Sequence, residues 1–346
     1  MIKVIGDYHT HTIYSSGFRK KGTHAKGTIR ENAEAALKKG LRELAICEHG
    51  PGHYLYGVRK ENIPKMREEI DRLNEEFVPK GLKILLGVEA NLVGLDGTLD
   101  VDEKVLKYTD ILLMGYHYGA TPISLSDGFG LYILNPVSKF FKLGKEKAKY
   151  LNTLAYIKAL NKYPINLITH PGSKAKVDIV ELAKETSKHN CYLEISAKHS
   201  QLSVESLKLL LDVDVNFMVS SDAHKPEDVG NVDEAIRKAI EANLPLKRIK
   251  NIEINSAYVN IMGNQVSIIP NKASIETSSA GHEISKRDIL RALSAVERVE
   301  LSKDRQIIDV VPIQYIVDGC DEIVDPLGMT GLSLEVEADI IAGKIT

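Results

Sequence analysis

Cysteine is scarce in this chain of 346 residues: there are three, Cys47, Cys191 and Cys320. They are far apart, odd in number and form no CxxC pair, which argues against a disulfide framework or a thiolate zinc site. As reduced thiols they act as small apolar side chains. Long apolar runs are missing too. No window approaches the ~18 apolar residues that a membrane span needs. The N-terminal MIKVIGDYH has no apolar stretch ahead of a small-residue cleavage site, so no secretory signal is expected and the cytoplasm is the expected location. Nor is there a surplus of one charge. Lys and Arg number 45 against 47 Asp and Glu, a net charge of −2, which gives no general attraction to nucleic acid or anionic membrane.

What is present is ordinary globular material, 43% hydrophobic and 27% charged, in a length that suggests two domains. Short apolar runs at 3–8, 42–47, 83–88, 110–116, 165–169, 191–195 and 215–219 predict strands. Helices are predicted near 28–39, 60–77, 101–107, 145–162, 177–189, 203–211 and 231–242. In the first, Thr28 can cap, Glu31 completes a capping box and Gly40 stops the helix. This alternation implies a parallel sheet, because each parallel return needs a crossover. The strands are apolar almost throughout, as expected when both faces are covered. Seven βα units could close into a barrel or form an open doubly wound sheet; periodicity leaves both open. Residues 118–144 lack clear periodicity, which suggests a functional or mobile loop. After about residue 253 the rhythm changes. A strand at 257–262, short strands within 266–277, a helix at 285–299 and strands around 307–318 and 332–342 predict a small α+β module. The expected domains are therefore 1–253 and 254–346.

The histidines carry the chemistry. His9 and His11 follow the first predicted strand and His49 the second; Glu89 ends the third, His117 the fourth and His170 the fifth, and Asp222 and His224 follow the seventh. In a parallel β/α sheet the C-terminal strand ends share one face, where active sites lie. One histidine after a strand is unremarkable in itself, a surface or packing residue. Six histidines and two carboxylates at the same relative position point to divalent metal, since carboxylates packed without cations would repel and neutral imidazole is a natural ligand. His9-Thr10-His11 and Asp222-Ala223-His224 each present two ligands on one side of an extended segment. So many ligands exceed the needs of one tetrahedral ion and imply two or three ions sharing a bridging carboxylate. Such a site suits phosphate-ester hydrolysis, where cations acidify a bound water and neutralise phosphoryl charge.

At these residues the chain resembles the polymerase-and-histidinol-phosphatase (PHP) family of metal-dependent phosphoesterases, in its stand-alone bacterial form. The matching stretches are DYHTHT (7–12), ICEHGPG (46–52), LGVEANL (86–92) with DGTLD (96–100), MGYH (114–117), ITHPG (168–172) and SSDAH (220–224). The resemblance implies an α/β fold, a distorted seven-stranded (β/α) barrel, and three divalent metals, with zinc, manganese and iron all admissible. His9, His11, Glu89 and Asp222 would hold one ion; Glu89 would bridge to a second held with His117 and His170; His24, His49 and His224 would hold the third. In the segment before His24, GFRKKGTHAKGT (17–28), the chain departs from the family by an insertion. Glu89, Asp222 and His224 are the expected catalytic residues, and Asp7 is expected to orient one of the first histidines. His53 and His199 lie in loops where either a substrate contact or a structural role is open.

Arg19, Lys20, Lys21 and Lys26, with Arg59 and Lys60, form either a solvated charge run or a collar steering an anionic phosphate; Arg19, Lys21 and Arg59 are the substrate-binding candidates. The segment from about 257 to 343 resembles the inserted subdomain of the actin-like cell-division protein FtsA, through EISKRDILRALSAVE (283–297) and residues 304–343. The flanking ATPase halves are absent, so nucleotide binding is not implied; a module docking a protein partner and a fusion remnant are the two readings. The expected function is hydrolysis of a phosphomonoester, a small phosphorylated substrate. The alternative is a division-linked adaptor working through the tail. Nuclease activity is disfavoured, since the sequence shows no basic stripe or nucleic-acid module.

Overall fold

Seven parallel strands form the larger part of the molecule, one for each predicted apolar run, in the order β2 (Gly6–Thr10), β3 (Glu43–His49), β4 (Lys83–Asn91), β5 (Ile111–Gly115), β6 (Leu167–Ile168), β7 (Tyr192–Ser196) and β8 (Phe217–Ser220). A short antiparallel pair, β1 (Ile2–Val4) with β9 (Ile252–Ile254), precedes and follows them. This computed structural model describes residues 2–17, 24–141, 144–254, 265–277 and 283–345. The chain divides into two units, Met1–Ser256 and Ala257–Thr346.

The sheet curls until its outer strands nearly meet. Thr10 bridges Ala223 in parallel, and His11 N–H donates to Ala223 O at 2.8 Å. The result is a nearly closed, distorted barrel rather than an open sheet. Its interior is plugged by one small cluster drawn from all seven strands: Tyr8, Ala45, Cys47, Leu85, Ile111, Leu113, Leu167, Tyr192 and Met218. A larger apolar layer lies between strands and helices, with Ile46, Leu86, Leu112, Ile168 and Leu193 facing residues such as Ile29, Met66 and Tyr156. The strands are apolar on both faces because both faces are covered.

Helices α1 (Ile29–Lys38), α2 (Ile63–Phe77), α3 (Glu103–Leu106), α4 (Leu125–Asp127), α5 (Leu134–Phe141), α6 (Lys145–Lys162), α7 (Ile179–Lys188), α8 (Val204–Lys208) and α9 (Asp233–Glu241) fill the crossovers. The Thr28/Glu31 capping box is present at α1. The segment 118–144, expected as a loop, is instead helical over 125–141, with a π-helical stretch at Gly128–Ile133 between α4 and α5. A π-turn shifts side chains out of the 3.6-residue phase, which hides such a helix from periodicity.

The second unit is a four-stranded antiparallel sheet, ordered β10 (Val266–Glu276), β13 (Ser333–Lys344), β11 (Arg305–Val317), β12 (Cys320–Ile323), with helix α10 (Lys286–Val296) on one face. Val336, Ala338 and Ile340 of β13 alternate into a core with Ile284, Ala292 and Val296. Segment 266–277, expected as short strands, is one strand of eleven residues; as an edge strand it tolerates Pro270. The expected strand at 257–262 and His282 lie outside the described residues.

One buried side chain bridges the two outer strands of the barrel at the end away from the histidines. Asn251 Nδ2 donates to Gly6 O at 2.8 Å and Val219 O at 2.6 Å, and its Oδ1 accepts from Val219 N–H at 3.0 Å. Asn251→Ala would leave three buried backbone groups unpaired. It should lower the unfolding free energy of the barrel by about 2–3 kcal/mol, read as a drop in urea midpoint at unchanged m-value.

Candidate metal centre

Each strand delivers side chains to the C-terminal mouth by its own geometry. Glu89 and Asn91 alternate onto one face of β4. The β2–β3 register shifts between Asp7 and Thr10, so that Tyr8 and His9 both turn inward. His170 (φ 29°) and Asp222 (φ 51°) hold left-handed backbone conformations at the ends of β6 and β8. Strain of this kind, rare outside glycine, gathers at sites where side-chain aim is over-determined.

Glu89 is the hub. It is fully buried, and five imidazoles converge on its carboxylate: His9 Nε2 at 3.4 Å, His11 Nε2 at 3.8 Å and His49 Nδ1 at 2.9 Å from Oε2, His117 Nε2 at 3.5 Å and His170 Nε2 at 3.0 Å from Oε1. Thr169 Oγ1 donates to Oε1 at 2.7 Å. Gly115 makes room for this approach; a Cβ there would lie 2.9 Å from Oε1. Asp222 is a second focus, with Oδ1 3.3 Å from His11 Nε2, 3.6 Å from His9 Nε2 and 3.4 Å from His224 Nδ1. His24 Nε2 faces His224 Nε2 at 2.9 Å, and its ring stacks on Tyr56.

Four sets of three donors lie close enough to share a cation: His9 with His11 and Asp222; His9 with Glu89 and His170; His49 with Glu89 and His117; and His11 with His49 and His224. All nine expected ligands thus meet at one mouth, His24 joining through His224. The donors fit divalent metal on three counts. Nitrogen faces nitrogen, as in His9 Nε2 and His11 Nε2 at 3.2 Å, a pair that together with Asp222 could share one cation. Glu89 Oε2 and both ring nitrogens of His49 are buried without a properly formed hydrogen bond, although the His49–Glu89 separation is short. The donors are also those that hold borderline divalent ions.

Proton energetics agree. Burial opposes charge on Glu89 and Asp222, yet the surrounding imidazoles hold both carboxyls well below the usual range. Burial likewise opposes an imidazolium at His9, but Glu89, Glu194 and Asp222 raise it well above an ordinary histidine. Burial pushes His11 and His117 well down, His24 to about 3 and His224 to about 4. Burial opposes charge on His170 too, but Glu89 and Glu194 raise it. Raised rings at His9 and His170 face three buried carboxylates held low, Glu89, Glu194 and Asp222, and this cluster has the charge balance of a ligand cage.

A ring of supporting groups fixes the histidines, and it was only partly foreseen. Glu194, in mid-β7, takes His9 Nδ1 at 2.6 Å and also bonds His170 N–H and Ser220 Oγ. That is the orienting role expected of Asp7. Asp7 instead holds the loop after β8, accepting from Ser221 N–H at 3.2 Å, Ser221 Oγ at 2.5 Å and Gly230 N–H at 2.8 Å; its one contact with His9 is to the backbone. Glu48 binds Thr12 and Ser15, and burial lifts its carboxyl to about 7. Asp100, from the DGTLD stretch, fixes Asn91 Nδ2 at 2.6 Å, and Asn91 Oδ1 takes His117 Nδ1 at 2.8 Å. Glu48 and Glu194 share one signal that could have revealed them: a carboxylate within an otherwise apolar strand, ELAICEH and YLEIS.

The remaining candidates separate. His199 Nε2 lies 3.0 Å from Asp222 Oδ2 at the rim. His53 spends both ring nitrogens on Tyr118 O and Tyr56 N–H, a structural role. Arg59 Nε donates to Gly17 O at 3.1 Å, while Arg19 and Lys21 lie outside the described residues. A cation not foreseen, Lys198, stands at the mouth, its Nζ 2.8 Å from His224 Nδ1 and 3.6 Å from Asp222 Oδ2.

With this geometry in hand, comparison with known proteins is informative. Residues 7–198 match the PHP domain. The chain belongs to the PHP family. Among its curated relatives, a protein of Proteus mirabilis named a probable phosphatase is 30% identical over 256 residues, covering 71% of this chain and 89% of the relative. Another of that description, from Caldanaerobacter subterraneus subsp. tengcongensis, is 28% identical over 267 residues, covering 73% and 89%. Among solved structures, histidinol phosphate phosphatase from Lactococcus lactis, complexed with zinc, L-histidinol and phosphate, superposes with a TM-score of 0.48 at 16% identity, covering 70% of this PHP chain and 94% of its own. Residues 263–342 match the SHS2 domain inserted in FTSA.

The Asp100–Asn91–His117 relay generates a test. Because Asn91 Nδ2 is committed to Asp100, its oxygen must face His117, which fixes the Nδ1–H tautomer and leaves Nε2 free. Long-range ¹H–¹⁵N spectra should show that tautomer for His117 at neutral pH, and Asn91→Leu should abolish the fixed tautomer.

Proposed function

We propose that this PHP-family chain hydrolyses a phosphomonoester through a trinuclear metal site at the barrel mouth. The observation that carries the reading is Glu89, a buried carboxylate met by five imidazoles from four different strand ends. His9, His11, Glu89 and Asp222 would hold one ion, Glu89, His117 and His170 a second, and His24, His49 and His224 the third. Bound divalent cations supply Lewis acidity, acidifying a water and neutralising phosphoryl charge. The donor set suits zinc, manganese or iron.

The protein's own part is positional. Glu194 and Asn91 hold the Nδ1 sides of His9 and His117, so their Nε2 atoms point into the cage. Asp222 spans His9, His11 and His224 and couples them to the strained turn after β8. With His224 Nε2 turned towards His24, its Nδ1–H donates to Asp222 O at 2.9 Å. The Lys198 ammonium then has no acceptor on that ring; held by Asp222 O at 3.3 Å and Oδ2 at 3.6 Å, it stands at the mouth where it would meet a phosphoryl oxygen. A small phosphorylated metabolite is the substrate class this arrangement suits.

The adaptor reading has no observation in its favour. The SHS2 match is a likeness of one domain, and the curated relatives described above are named phosphatases.

The reading has a direct test. His9→Ala and Asp222→Ala should each lower p-nitrophenyl phosphate turnover by at least about 100-fold, beyond the usual loss for an outer-sphere partner, with circular dichroism unchanged. Metal analysis of the wild-type protein should find about three ions per chain, and chelation should remove turnover that added zinc, manganese or iron restores. Undiminished turnover in both variants would refute the assignment.

A further inference from the structure

The helical excursion at 125–141 builds one wall of a cleft of about 550 Å³, lined by Asn135, Ser138, Lys145, Gly172, Lys174 and Lys176, with Ala148 and Gln201. That volume lies in the range of small-molecule sites. The opposite walls are the segments that leave the candidate metal centre. Gly172 follows His170 by two residues, Gln201 follows His199 by two, and the His170 and His199 rings lie 4.6 Å apart. Tyr118, next to His117, donates its hydroxyl to Lys174 O at 3.2 Å, tying the β5 and β6 loops together. The cleft therefore abuts the β5–β7 side of the mouth.

Its charge is one-sided. Lys145, Lys174 and Lys176 line it and no carboxylate does. None of the three ammonium groups forms an ion pair among the described residues, whereas neighbouring Lys149 is paired with Asp178 at 2.7 Å. Lys174 holds a left-handed backbone (φ 63°), so the loop that carries it is committed to this shape. Behind the lysines the wall is ordered by two buried amides, Asn135 and Asn152, which exchange hydrogen bonds at 3.1 and 2.8 Å; Asn152 Nδ2 also holds Lys176 O at 2.9 Å. Three unpaired cations on a fixed framework, beside a phosphoryl-binding mouth, make a receptor for a second anion.

We infer that this cleft binds a second phosphate group of the substrate, so that the enzyme prefers bisphosphorylated small molecules to monophosphates. The inference rests on the phosphoesterase reading for the first phosphate, while the cleft itself is independent of it.

The test compares fructose 1,6-bisphosphate with fructose 6-phosphate on the metal-loaded full chain, by calorimetry and by phosphate release. Wild-type protein should bind the bisphosphate at least about tenfold more tightly, and the preference should fade as salt is raised, since the lysines are exposed. K145Q/K174Q/K176Q should reduce the preference to about threefold or less; should the triple variant melt early, Lys174→Gln alone should still diminish it. Equal wild-type affinities, or a preference that survives the substitutions, would overturn the inference. Bisphosphate preference in binding with hydrolysis of neither sugar would uphold the cleft and count against the phosphoesterase reading.

Discussion

Burying a carboxylate among imidazoles is the constraint on which the rest of this barrel depends. Glu89 has no access to solvent, and no lysine or arginine approaches it among the described residues; its partners are five histidine rings and the Thr169 hydroxyl. An isolated charge at that depth would cost several kcal/mol. The fold meets the cost by closing around the charge. Seven strands must end at one level, with β2 and β8 brought together so that His11 N–H reaches Ala223 O. The buried Asn251 holds the same two strands together at the opposite end. Closure of the barrel and assembly of the cluster are thus one requirement viewed from two ends.

The supporting shell follows the same logic. An imidazole can present a lone pair in one direction only if its other nitrogen is occupied. Glu194 serves His9 and Asn91 serves His117, and Asp100 serves Asn91 in turn. Gly50 and Gly52 lie against Asp100, where a Cβ at either would come within 2.9 Å of a carboxylate oxygen. The HGPG turn is therefore built to admit the acid that fixes Asn91, which explains why that stretch and DGTLD, distant in sequence, belong to one device.

How much of this could be read from residue order depends on where each group sits relative to its strand. His49, Glu89, His117, His170 and Asp222 stand at strand ends, where apolar patterning stops and a polar side chain needs an explanation. Glu194 sits inside CYLEI, where it passes as a tolerated polar residue in a strand, although alternation puts it on the same inward face as Tyr192. Asp7 presents the converse difficulty. It neighbours the histidines in sequence, but its acceptors are used by backbone N–H groups of Ser221 and Gly230, more than two hundred residues away. The helical run at 125–141 was concealed by its own π-turn, and β10 by Pro270, which reads as a strand breaker unless the strand is known to be an edge. Local pattern carries strand ends and helix caps well; it does not carry which distant backbone a carboxylate will serve.

The same distinction bears on substrate choice. The proposed ligand cage is built from strand ends, so it would specify a reaction centre but little about the rest of a substrate. The rest of a substrate would meet the material inserted between strands. Here the connection from β5 to β6 is the longest of the barrel's strand crossovers, and it supplies Asn135, Ser138 and Lys145 to a cleft whose other cations come from the β6 loop. Binding energy gathered there, away from the reacting phosphorus, can position one end of a molecule without altering the cage at the other. On the proposed reading, chemistry and selectivity would be carried by separate parts of one mouth, the first by buried ligands that cannot change without losing the site, the second by exposed lysines that can.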